Sequence, residues 1–239
     1  MDYTVVVPTI REELDGFKEA MKDIESSFTL PTDLRVIHGE GGKVPTLNRA
    51  FDDILKKTDS PIYVTLDDDF IPSPGWQDAV KQMFELRSDV GVVCPWLGET
   101  PEMLEYVGPR SVGPWKEREG LRYRVLAPWR HIPGCLLAFR RETAIAIGKT
   151  PESARKYDIY EDCWRGRMAY KLGWRSAYVE AGAVRLLPYV DTEEYVNTKS
   201  KDIEDARPQT QKILAEYGIA DPLSWRMRQL VARLLGRAK

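Results

Sequence analysis

The stretch IYVTLDDDF, residues 62–70, decides the fold. Its first five residues are apolar or β-branched without a break, the pattern of a strand covered on both faces in a parallel sheet, and three aspartates follow where that strand must end. In open α/β sheets ligands bind beyond the carboxyl ends of the strands, so Asp67, Asp68 and Asp69 stand where chemistry is expected. Adjacent carboxylates repel one another without a counter-charge, whereas a hard divalent cation such as Mg2+ or Mn2+ prefers oxygen ligands and brings a nucleotide diphosphate with it. Alternation at the turn predicts Asp67 and Asp69 on one side. An acidic loop capping the helix that begins near Pro74 is the plainer account of the same residues.

Outward from this stretch the same alternation repeats. Upstream, YTVVVP at 3–8 reads as an opening buried strand, and Leu14, Phe17, Met21 and Ile24 recur at helical spacing. Leu34 to Ile37 is a second strand, HGEGG at 38–42 a Gly-rich turn, and Leu47, Phe51, Ile54 and Leu55 mark a second helix. Downstream, a helix runs from about Trp76 to Leu86 and a strand from Val90 to Cys94. Strands are further expected at Gly134 to Phe139 and Ser176 to Val179, with helices at Arg141 to Ile147 and Glu161 to Leu172. Four strand–helix alternations joined by short connections predict a doubly wound α/β sheet with right-handed crossovers. Between Gly98 and Arg130 periodicity is lost, which predicts a long functional loop or a small excursion, serving as an acceptor-side lid.

Composition excludes several classes. With 239 residues the chain buries a core without staples, and 43% hydrophobic with 30% charged residues is the balance of an ordinary folded, water-soluble protein. A net charge of −2 provides no global field for nucleic acid. Cys94, Cys135 and Cys163 are odd in number and widely spaced, so they form neither a disulfide framework nor a CxxC zinc site, and a reducing compartment is expected. Met1 to Val7 lacks the basic and long apolar regions of a secretory signal, and no segment approaches the roughly 20 apolar residues that span a bilayer. A cytoplasmic location is expected.

A second acidic pair, Glu161 and Asp162 in YED at 160–162, opens a predicted helix. A carboxylate there is stabilised by the backbone dipole and can be a plain cap. Two carboxylates directed into a cleft are also what a general base requires, one removing a proton from a hydroxyl and its neighbour holding the acceptor or orienting the base.

Taken together, these residues resemble the GT-A glycosyltransferases of family 2, inverting transferases that use nucleotide sugars. The resemblance runs from Tyr3 to about Leu187. VVVPTIRE at 5–12 is similar to the family's opening strand and nucleotide-contacting turn, GGKVPTLNRAFD at 41–52 to its Gly-rich turn and helix start, and LDDDF to its DXD motif. GCLLAFRRETAIAIG at 134–148 and EDCWRGRMAYKLGW at 161–174 resemble two later elements of the same family, in the family's order. The resemblance implies a GT-A, Rossmann-like, mostly parallel sheet flanked by helices. It implies Mn2+ or Mg2+ held by Asp67 and Asp69, and Asp162 as the catalytic base with Glu161 beside it. Nucleotide-sugar contacts are implied at Pro8, Thr9, Arg11, Glu12, Glu40, Lys43, Asn48, Asp67, Asp68 and Gly134. Arg11 and Lys43 stand as diphosphate contacts and, like Arg140 and Arg141, are equally well read as solvated cations.

The chain departs from the family twice. Where relatives carry a metal-binding His, thirteen residues beyond Gly173, this chain has Leu186 with Arg185 beside it. The metal would then be completed by diphosphate and water, or Arg185 would carry part of the diphosphate's charge. Where relatives carry an Asp that reads the nucleotide base, this chain reads His38, Gly39, Glu40.

The acceptor side rests on aromatic residues, which stack on sugar rings as readily as they fill a core: Trp115, Trp129 and Arg130 are the candidates, with Trp96 nearby and His131 read as a surface residue. Cys163, beside the proposed base, reads as a small core residue. Residues 1–190 form the expected catalytic domain and 191–239 a C-terminal helical extension. In that extension Arg226, Arg228, Arg233, Arg237 and Lys239 accompany no acidic residue after Pro222. The resulting basic amphipathic helix suits packing on its own domain, peripheral contact with an anionic membrane, or contact with a polyanion. The acceptor hydroxyl could belong to a glycan, a lipid-linked acceptor or a modified nucleobase flipped from its stack. A nucleotidyltransferase is the competing enzyme class, although the loop PTIREELDG lacks that class's Gly-rich, Lys-bearing phosphate loop. A non-catalytic sugar-nucleotide-binding module is the other alternative.

Overall fold

β1 (Tyr3–Thr9) and β3 (Ile62–Leu66) pair in parallel, second and third from one edge of an eight-stranded sheet, and both are buried nearly throughout. Their side chains alternate between two cores, as a sheet covered on both faces requires. Tyr3, Val5, Val7, Ile62, Val64 and Leu66 enter one core, while Val6 and Tyr63 enter the other. The computed structural model describes residues 1–39, 41–95, 114–127, 132, 134–152, 161–181, 185–186 and 209–219.

The strand order is β2-β1-β3-β8-β5-β9-β7-β6, with β2 (Thr32–His38), β5 (Val90–Pro95), β6 (Lys116–Arg118), β7 (Leu121–Val125), β8 (Leu136–Arg140) and β9 (Arg175–Val179). β7 and β8 run against the other six, so the sheet is mostly parallel in strand direction. A short antiparallel pair joins β4 (Phe70–Ile71) to β10 (Arg185–Leu186). On one face lie α1 (Asp15–Ser26) and α3 (Trp76–Leu86), whose Phe17, Ile24, Trp76, Val80 and Met83 fill the first core. On the other face α2 (Lys43–Lys57), α4 (Arg141–Ile147) and α5 (Glu161–Lys171) contribute Leu47, Ala144 and Trp164 to the second. Among the described residues no helix is long and apolar enough to cross a membrane.

Two expectations need correction. The stretch 98–130, read as one irregular loop, contains the β6–β7 hairpin, whose turn is Glu119 (φ 52°) and Gly120 (φ 80°). Positive φ at both turn residues matches the twist that a two-residue hairpin needs. The strand read at Leu34 to Ile37 extends to Thr32–His38, because β2 is an edge strand and admits Thr32, Asp33 and Arg35 on a half-open surface.

Part of the C-terminal segment packs on α5. Residues 209–216 are helical, and Ile213, Leu214 and Ile219 are buried in the same core as Trp164 of α5. Trp164 meets Tyr217 edge to face, and Arg167 and Lys171 donate to the carbonyls of Ile219 and Tyr217. The basic stretch 222–239 lies outside the described residues, as do Glu40, Trp96, Trp129, Arg130 and His131.

Candidate active site

β1 leads by way of α1 to β2 on one side, and β3 leads by way of α3 to β5 on the other. A crevice therefore opens beyond the ends of β1 and β3, the position where doubly wound sheets take their ligands. Two contacts cross it. Thr9 Oγ1 donates to Asp68 Oδ2 at 2.6 Å, and Arg11 Nη1 to Asp68 Oδ1 at 2.8 Å. Asp68, the middle aspartate, thus ties the end of β1 to the end of β3. Burial pushes its carboxyl above the ordinary range while Thr9 and Arg11 work against that rise.

Asp67 leaves β3 with its amide donating to the carbonyl of Cys135 at 2.8 Å, which seats it against the start of β8. Its Oδ1 lies 2.7 Å from Lys43 Nζ, and the same ammonium lies 2.7 Å from Glu161 Oε1. Lys43 thus joins the two acidic clusters, from the first turn of α2 to the first turn of α5. The other oxygen of Glu161, Oε2, is buried with no hydrogen-bond partner among the described residues.

Gly134 closes the arrangement. A Cβ placed on it would lie 3.1 Å from Asp162 Cβ, 3.4 Å from Glu161 Oε1 and 3.5 Å from Asp162 Oδ2, so only glycine leaves this approach open. Asp162 Oδ1 accepts from the amide of Cys163 at 2.5 Å. Asp67, Lys43, Gly134, Glu161 and Asp162 therefore converge on one centre.

The electrostatics follow from crowding. Burial raises the carboxyls of Asp67 and Asp69, and neighbouring carboxylates add to it. Burial, then the charge of Glu161, holds the Asp162 carboxyl well above the usual range. Burial also acts to raise Glu161, but Lys43 and then Arg165 outweigh it and keep Glu161 low and ionised. Burial would lower Lys43, yet Asp67 and Glu161 hold its ammonium well above the ordinary lysine value.

Five carboxylates crowd this crevice against Lys43, Arg11 and Arg165, a negative excess of hard oxygen donors that suits a divalent cation. Among the described residues no three His, Cys, Asp or Glu side chains are grouped to hold an ion by themselves. A cation at this crevice would need oxygen ligands from a bound molecule, such as phosphates, beside the protein's carboxylates. β10 brings the backbone of Leu186 beside Phe70, next in sequence to Asp69.

The remaining candidates lie around this centre or apart from it. Pro8 is half-buried near the end of β1, and Glu12 meets His38 Nδ1 with its two oxygens at 2.9 and 3.0 Å. Asn48 is engaged elsewhere: its amide donates to Thr150 O at 2.8 Å and Glu152 Oε1 at 3.1 Å and accepts from Thr150 N at 3.0 Å. Trp115 packs beneath the guanidinium groups of Arg122 and Arg124, 4.8 and 4.1 Å from its ring. Arg140 donates to the carbonyls of Val90, Phe84 and Arg87, a structural clamp beneath α3.

One residue escaped the sequence reading. Arg165 is 4% exposed, donates to Thr150 Oγ1 at 3.3 Å and supports the charge of Glu161 one helical turn earlier. The Glu-x-x-x-Arg spacing was its signal.

No protein-family model matches the chain, and no curated protein matches it in sequence. The solved structures do: the chain has a GT-A-like glycosyltransferase fold, an α/β sheet flanked by helices. It is similar to the mannosyltransferase PcManGT from Pyrobaculum calidifontis, in complex with GDP-Man and Mn2+, with a TM-score of 0.63 and 18% identity over 98% of this chain and 69% of that one. It is also similar to residues 1–349 of TarS from S. aureus, with a TM-score of 0.54 and 16% identity over 91% of this chain and 70% of that one. TarS in complex with UDP-GlcNAc aligns with a TM-score of 0.51.

Proposed function

We propose that this protein transfers a sugar from a nucleotide-diphosphate sugar, a UDP-sugar first among candidates, to a hydroxyl acceptor with inversion at the anomeric carbon. Asp162 is the general base and Glu161 its companion. The observation that carries this reading is the meeting of the two acidic clusters at one centre, with Gly134 keeping the space beside Asp162 open. The likeness to PcManGT with GDP-Man and to TarS with UDP-GlcNAc supports a nucleotide-sugar donor.

The acceptor oxygen approaches on the Asp162 side, gives its proton to that carboxylate, and attacks the anomeric carbon from the face opposite the departing diphosphate. Asp67 and Asp69 would hold Mn2+ or Mg2+, which would supply neutralisation of the charge that develops on the leaving group. Arg11, beside Asp68, contributes fixed positive charge at the same crevice. Glu12 and His38, at the ends of β1 and β2, flank the nucleotide. The single-domain reading of residues 1–190, with 191–239 as an extension, belongs to this proposal.

The test uses a panel of UDP-, GDP- and dTDP-sugars with and without Mn2+. Release of free nucleoside diphosphate supports transfer, release of pyrophosphate points to a nucleotidyltransferase, and binding without turnover points to a non-catalytic module. Asp162→Asn is expected to keep donor binding and lose at least about 10²-fold in kcat. Full activity in that variant removes Asp162 from the role of base.

A further inference from the structure

We propose that Lys43 is a positioning residue. Its ammonium ties the strand end that carries Asp67 to the helix end that carries Glu161 and Asp162, and so sets where the base stands relative to the donor. This inference rests on the transferase reading above and assigns Lys43 a role different from that of a diphosphate contact.

Three observations carry it. First, Lys43 Nζ is 2.7 Å from Asp67 Oδ1 and 2.7 Å from Glu161 Oε1, bridging residues 24 and 118 positions away along the chain. Secondly, nothing local accounts for a lysine there. It opens α2, where the helix dipole disfavours a cation, and the first turn of α2 has no acidic residue to offset it. A local rule broken at a site is the mark of a residue held by its long-range partners. Thirdly, the bridge transmits position. Asp162 follows Glu161 in the same helical turn and lies against Gly134, while the next residue, Cys135, accepts the amide of Asp67. The base and the donor side are thus one residue's thickness apart on the β8 side, and Lys43 is the corresponding strut on the α2 side. If the strut is lost, Glu161 Oε1 loses its ion pair, and Oε2 already has no hydrogen-bond partner among the described residues. The first turn of α5 is then free to move away from Asp67.

The experiment compares Lys43→Met, Lys43→Gln and Lys43→Arg in the full chain. For the donor side, UDP with Mn2+ is titrated calorimetrically. For the chemistry, kcat and KM are measured separately. For the helix, amide exchange is followed in peptides covering residues 161–165. A strut predicts that Met and Gln lower kcat about 10²-fold. It further predicts that the UDP Kd changes less than about threefold, and that Arg recovers kcat to within about tenfold of the wild type. Exchange at 161–165 should quicken in Met and Gln and return toward wild type in Arg.

A tenfold weaker UDP Kd with kcat unchanged would overturn the proposal in favour of a diphosphate contact. Unchanged exchange at 161–165 would overturn it as well. A wild-type protein inactive with every donor refutes the transferase reading instead, and the exchange measurement then decides the strut by itself. If Met does not fold, Gln and Arg carry the comparison.

Discussion

Replacing Gly134 with alanine should separate catalysis from folding. The added methyl would lie 3.1 Å from Asp162 Cβ, against an ordinary carbon–carbon separation of about 3.5–4.0 Å, so one of the two must move by about half an ångström. Glu161 Oε1 at 3.4 Å and Asp162 Oδ2 at 3.5 Å would be in ordinary contact with the same methyl, so the displacement falls on Asp162. Gly134 does not have positive φ, so alanine meets no backbone strain and the penalty is one of packing. Overpacking of this size costs about 1–3 kcal/mol, and in a chain of this length 1 kcal/mol lowers Tm by roughly 2–4 °C. The effect on turnover is larger in proportion. If a misplacement of about 1 Å costs about 10²-fold, half of that costs about tenfold in kcat. The assay measures kcat and KM for transfer, together with Tm with and without UDP and Mn2+. A variant with wild-type kcat, or one whose whole loss is in UDP affinity, refutes the placement of Asp162 beside Gly134.

Three further outcomes are expected. The proposed base, Asp162, could act only when its proton has left, and burial with Glu161 holds that proton well above the ordinary carboxylate value of about 3.9. Thus kcat should rise with pH through the raised value, while the ligand-free protein loses stability over the same window. There the unfolded chain has already released a proton that folded Asp162 retains. A pH–rate profile that is flat from about pH 5 to 8 contradicts this. In Gly91→Ala the new Cβ would stand 2.5 Å from Thr143 Oγ1 and 2.7 Å from Trp174 Cγ. About 3 kcal/mol of stability should be lost, read as a lower urea midpoint at unchanged slope, and an unaltered midpoint would show that β5 and α4 do not pack this way. Burial pushes the Cys163 thiol up to about 11, so iodoacetamide at neutral pH should leave it unlabelled in the folded protein and label it in urea. Rapid labelling without denaturant would contradict its placement.

How much of this was legible in sequence depends on the range over which each feature is decided. β3 (Ile62–Leu66), α3 (Trp76–Leu86) and α4 (Arg141–Ile147) lie where their patterns place them, because uninterrupted apolar runs and helical periodicity are local. The β6–β7 hairpin was hidden by KEREGLRYRV, in which charges mask the alternation of buried Leu121 and Tyr123. The antiparallel entry of β8 between β3 and β5 has no local signature, since its pairing is chosen by strands more than forty residues away. The acidic clusters were visible as short motifs, but their union through Lys43 was not. The amide of Asn48 also holds Thr150 and Glu152, 102 and 104 positions on, which its motif does not announce. In each case the missed fact is a contact between residues whose separation along the chain conceals it.

The seating of residues 209–219 on α5 bears on where the chain can be cut. Trp164, Arg167 and Lys171 face that segment from the same helix whose first turn carries Glu161 and Asp162. Ile213, Leu214 and Ile219 share a core with Trp164 across the expected border near residue 190. A protease or a gene truncation that removes everything beyond residue 208 would bare an indole and three aliphatic contacts on the back of the reactive helix. The shortened chain would thus keep Glu161 and Asp162 without the brace behind them, and would be recovered as a sticky fragment rather than a smaller independent unit.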